Sequence, residues 1–160
     1  MAREIAFTPG PGGGVRVVLP SELRALLRSV GRQMRERLSD EDYADSPMLA
    51  RLFPPASLDD PLEALGFEQL MGQAIHEGKV ESATVLERTA DAESLTAEET
   101  LAWLRCLNDV RLMLGTHLNV TEDADIETFL ADPATEHNAI VYVALTELVD
   151  LLVRAVDPTS

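Results

Sequence analysis

The sequence predicts a mainly α-helical single domain over residues 1–160, in which a helical bundle over residues 21–160 follows an N-terminal β-hairpin over residues 1–20, with an α+β arrangement as the alternative. Three observations carry this. Leucine-rich stretches repeat their apolar residues at helical spacing through most of the chain, the first twenty residues alternate apolar and other side chains instead, and 46% hydrophobic content over 160 residues is enough for a core.

"EIAFT" and "VRVVL" alternate around the turn-forming "PGPGGG", so residues 4–19 form the hairpin. The glycines lead into a strand, with no Gly-Lys-Ser/Thr after them, and therefore read as a hairpin loop and not as a phosphate loop. Ser21 is placed to cap a helix that presents Leu23, Leu26, Leu27, Val30, Met34 and Leu38 on one side. A short helical turn is expected around "MLARLF", and "PPASLDDP" breaks the chain before Pro61 opens the next helix. That helix should run to about Ala90 with Leu62, Leu65, Leu70, Ala74 and Ile75 in the core, and Gly72 and Gly78 suggest a break near "HEGK". Thr96 and Glu99 form a capping box for the helix that follows, with Gly115 as its expected stop. Asp132 and Pro133 signal a last helix to about Val156 whose apolar arc is so broad that only Thr146, Glu147, Asp150 and Arg154 lie near the wet side. Such a helix needs covering by several neighbours in the bundle or by a second copy in a homodimer.

Charge and composition exclude several classes of function. The net charge of −15 opposes direct nucleic-acid binding, although residues 1–37 carry +4 and the remaining residues −19. The three histidines are far apart and "HEGKVE" is not a HExxH pattern, so no metal and no cofactor is expected. A bilayer-spanning helix needs roughly 18 continuous apolar residues, and the richest run, "AIVYVALTELVDLLV", is interrupted by Glu147 and Asp150. With no secretory signal in "MAREIAFTPG", the expected location is the cytoplasm. Cys106 is the chain's one cysteine and cannot form an internal disulfide.

Within "LRCLNDVRLMLGTHL", Arg105 and Asp109 fall on the narrow polar side of a helical wheel and read as an exposed pair. Asn108 and Arg111 fall inside the apolar arc, between Leu104 and Leu101 with Leu112. They form a candidate structural polar cluster, with a small-anion site or an enzyme centre as the functional alternative. Cys106, beside Trp103, Val110 and Met113, is expected to be buried and slow to react, and is a weak redox candidate. On the first helix Arg24, Arg28, Arg32 and Arg35 recur at intervals of four, four and three. They are the candidate partner-binding stripe, either a solvated face or a docking surface for an acidic helix, for which planar guanidinium groups suit paired carboxylates.

The phrases "GGGVRVVLP", "LARLFPP", "AWLRCLNDVRLMLGTHLNVTED" and "LVDLLVRAV", in this order, resemble an actinobacterial family catalogued as a domain of unknown function that includes the actinomycete oxidative stress regulator. The resemblance implies a non-enzymatic regulator of transcription, linked to oxidative stress and acting through a sigma factor. The family's genes are typically found beside the Clp protease adaptor, which implies a Clp component as the alternative partner. Sensing by an intramolecular cysteine pair would need a second cysteine, which this chain lacks.

Overall fold

The computed structural model describes residues 4–39, 61–118 and 126–156. Strands β1 (Ala6–Pro9) and β2 (Val15–Val18) pair antiparallel with Ala6 opposite Val18 and Pro9 opposite Val15. A 3-10 turn at Pro11–Gly13 joins them, with Gly12 and Gly13 at φ 67° and 83°, a region that glycine enters without steric cost. The hairpin is not alone. A short strand β3 (Ser94–Leu95) adds to the free edge of β2, with Val15 opposite Leu95, and Val17 N–H donates to the Glu93 carbonyl at 2.8 Å. Gly14 makes this pairing possible, because a Cβ there would stand 2.2 Å from the Leu95 carbonyl oxygen.

Helix α1 (Ser21–Leu38) buries Leu27, Gly31, Met34 and Leu38; Ser21 does not cap it but is its first helical residue, with Pro20 at the cap position and no side-chain cap bond. Helix α2 (Pro61–Thr89) starts at Pro61 as the sequence implies but runs through Gly78 without the break suggested near "HEGK". A Cβ on Gly78 would meet nothing within 4 Å, so this glycine costs helix propensity without opening the helix. The expected helical turn around "MLARLF" lies outside the described residues, as do the side chains of Leu62, Leu65, Leu70 and Ala74. Helices α1 and α2 approach closely at Gly31, where a Cβ would lie 2.7 Å from Glu87 N and 2.9 Å from the Ala83 carbonyl oxygen.

Helix α3 (Ala97–His117) begins with the capping box read from sequence. Thr96 N–H donates to Glu99 Oε1 at 2.9 Å, and Glu99 N–H to Thr96 Oγ1 at 3.1 Å. Gly115 does not stop it. The helix passes through this position, where the absent side chain lets the Tyr142 ring approach, 3.3 Å from where a Cβ would be. Helix α4 (Ile126–Ala131) is a short element that the sequence signals do not mark. Asp132 then organises a turn. Its side chain accepts from Ala134 N–H at 2.9 Å and its carbonyl from Glu136 N–H at 2.8 Å, so α5 (Glu136–Val156) starts later than the Asp132–Pro133 signal.

The core gathers Val15 and Val17 of β2, Leu27 and Met34 of α1, Leu86 of α2, Trp103 and Leu107 of α3, and Leu145, Leu148 and Leu152 of α5. Trp103 is fully buried and donates from Nε1 to Thr89 Oγ1 at 2.7 Å, while Phe7 meets its ring edge-on at 6.4 Å. The fold is therefore mainly α with a small antiparallel sheet packed against α3 and α5. Among the described residues no helix is long and apolar enough to cross a membrane.

Candidate functional site

Of the stripe Arg24, Arg28, Arg32 and Arg35 on α1, three arginines are turned towards α2 and the sheet. Arg24 is half-buried and donates to four backbone carbonyls: from Nη1 to Ala92 at 2.8 Å and Ala90 at 3.1 Å, from Nη2 to Val17 at 3.3 Å, and from Nε to Leu19 at 3.3 Å. Two of those carbonyls lie just past the end of α2, where a helix leaves orphan acceptors and partial negative charge, so a guanidinium there is well placed. Arg28 pairs with Asp91, and Arg35 meets Glu87 in a two-point contact, Nε to Oε1 at 3.0 Å and Nη2 to Oε2 at 3.3 Å. Arg32 is exposed and makes no ion pair among the described residues.

The polar run of α3 is divided between two environments. Asp109, read from the wheel as surface, is 8% exposed and bonded to Lys79 Nζ of α2 at 2.9 Å. The exposed Arg105–Asp109 pair read from the wheel is not formed, because α2 packs over that flank and covers Asp109, which bonds to Lys79, while Arg105 stays exposed. Burial raises the carboxyl pKa above its ordinary value, against the opposing hydrogen bond and charge of Lys79. Lys79 is the residue sequence reasoning missed. It is the chain's single lysine, and only the crossing of α2 and α3 brings it to Asp109. Cys106, one turn before Asp109, is 1% exposed, and burial, reinforced by the Asp109 charge, pushes its pKa up to about 12. At neutral pH it is a thiol and not the reactive thiolate.

Asn108 and Arg111 are brought together, with Arg111 Nη2 donating to Asn108 Oδ1 at 2.6 Å. The arc around them is not closed over, since Leu101 and Leu112 are 48% and 50% exposed. Arg111 is half-buried in a groove of about 610 Å³ that it shares with Ile126, Tyr142, Val149 and Val153. Val149 and Val153 also line a second groove of about 630 Å³ that holds Asn108, Leu104 and the Lys79–Asp109 pair. The two grooves thus adjoin along α5, with the Arg111–Asn108 contact between them. Glu147 and Asp150 stand on the α5 rim, where Asp150 is bridged by Arg154 at 3.2 Å. Among the described residues no group of three or more His, Cys, Asp or Glu lies together as metal ligands would.

The chain is thus a mainly α domain with a buried thiol and an open groove around one guanidinium. The family model described as Domain of unknown function (DUF2017) matches residues 4–156, and the chain belongs to that family. No curated protein and no solved structure matches the chain.

Proposed function

We propose that this protein is a non-enzymatic regulator that acts in the cytoplasm by contact with another protein, through the face formed by α3 and α5. The observation that carries the reading is the exposure of large apolar side chains on these two neighbouring helices. Leu101 and Leu112 of α3, and Ile140, Val143, Val153 and Val156 of α5, are each 40% exposed or more. Scattered singly, such residues would need no explanation, but two packed helices that carry six of them beside an apolar groove form the kind of surface that partners cover. The phrases shared with the oxidative-stress regulator family add the class of partner, a sigma factor of the transcription machinery.

The test is quantitative co-purification with the tagged full chain from its native host, beside a Leu112→Glu/Val143→Glu variant that circular dichroism shows to be folded. Recovery of a sigma factor or RNA polymerase with the parent chain, lost in the variant, is the expected result. Recovery of Clp components instead would replace the transcription role, and equal recovery with both proteins would move the contact off this face.

A further inference from the structure

Arg111 has unfinished hydrogen bonding. A guanidinium has five N–H donors and no acceptor. Here Nη2 is used on the neutral amide oxygen of Asn108, and Nε is buried without a partner, which holds for no other buried side-chain polar atom among the described residues. A buried donor without an acceptor is costly, most of all on a charged group, and native folds keep few of them. Nor does packing explain this one. The side chain lines an open groove of about 610 Å³ between apolar walls, in the size range of small-molecule sites, where a methionine would fill the same space without the penalty.

We propose that this groove binds a small monocarboxylate with an apolar body, its carboxylate on Arg111 and its body along Tyr142, Val149 and Val153. The carboxylate matches the planar fork of the guanidinium, and a turn of the Arg111 side chain into the groove brings Nε, buried in the unliganded protein, to the acceptor it lacks. The apolar body matches Ile126 and the α5 wall. Glu147 on the rim makes the site selective, because it repels a second negative charge and so disfavours dicarboxylates and phosphate esters, whereas the Asp150 charge is offset by Arg154. The inference goes beyond the protein-contact reading, and its test needs no partner protein, so either can fail alone.

The experiment is isothermal titration of the full chain with octanoate, 1-octanol and octanedioate as probes. The wild type should bind octanoate at least tenfold more tightly than 1-octanol and more tightly than octanedioate. In Arg111→Met the octanoate preference over the alcohol should vanish while the alcohol affinity stays, and Val153→Trp, which fills the groove, should remove both. A second readout on the wild type covers the case in which the Met variant fails to fold: the Arg111 Nε–H resonance should shift on adding octanoate and stay in place with 1-octanol. Equal affinity for acid and alcohol, a preference that survives in the folded Met variant, no binding of octanoate at millimolar concentration, or an unmoved Nε–H resonance would each overturn the proposal.

Discussion

Lys79 of α2 and Asp109 of α3 lie 2.9 Å apart, with side chains only 18% and 12% exposed, and this pair locks the crossing of the two helices one turn from Cys106. Removing one partner of a pair this dry strands the other charge. Lys79→Met should therefore destabilise the fold by about 3 kcal/mol, whereas Lys79→Met/Asp109→Leu should recover most of the loss, because an apolar pair can replace a desolvated ionic one. Urea unfolding of the three proteins measures both values, and an undisturbed single variant would mean that the pair contributes nothing.

The same carboxylate sets a pH dependence. Its folded-state pKa is raised, so between the ordinary carboxylate range and that raised value the folded state holds more protons than the unfolded state. Stability from this group is therefore greatest below the unfolded pKa and falls as pH rises through the folded one. Measured against Asp109→Asn, the parent protein should gain relative stability as pH is lowered from 7 towards 4, and parallel curves for the two would contradict the shift.

The thiol of Cys106, with its pKa near 12 and its 1% exposure, should react with a mild aromatic disulfide reagent only on unfolding. In the native protein at pH 8, labelling should track the unfolding rate and speed up with denaturant. Stoichiometric labelling within seconds would show a thiol open to solvent.

Two arginines one helical face apart should behave oppositely. Arg24→Met leaves carbonyls of Val17, Leu19, Ala90 and Ala92 without their shared donor and should cost about 2–3 kcal/mol. Exposed Arg32, changed to Gln, should stay within about 0.5 kcal/mol of the parent. Thermal melts of the pair, run side by side, compare them directly.

Gly31→Ala tests the closest approach of α1 and α2. Alanine gains about 1 kcal/mol of helix propensity, but its Cβ would stand 2.7 Å from the Glu87 amide nitrogen, a backbone atom that cannot swing aside. The net change should be destabilising by at least about 1 kcal/mol. A more stable variant would mean that the helices can part at little cost.

What the sequence made legible was local. The hairpin, the limits of α1 and the Thr96–Glu99 capping box all follow from neighbours within a few residues, and the structure carries each of them, whereas the broad apolar arc read for α5 is only partly covered, with Ile140, Val143, Val153 and Val156 left exposed. What it hid depends on helix crossings. A wheel for one helix cannot say that α2 covers Asp109 and leaves Arg105 wet, nor that the Arg24, Arg28 and Arg35 side chains meet the end of α2. Likewise "SL" at 94–95 is too short to show as a strand and is made one by the edge of β2. At the groove, Asn108 and Arg111 were legible as a polar cluster within the apolar arc, but neither the bond between them nor the exposure of Leu101, Leu112, Val143 and Val153 was.

The sheet joins Val15 to Leu95, residues eighty positions apart in the chain. During synthesis at about 5–20 residues per second, the hairpin must wait roughly 4–16 s for its third strand to leave the ribosome. Through that interval β2 keeps an open edge, and Arg24 lacks the Ala90 and Ala92 carbonyls that will later hold it. The amino-terminal quarter is thus made early and completed late, once the turn between α2 and α3 has been synthesised.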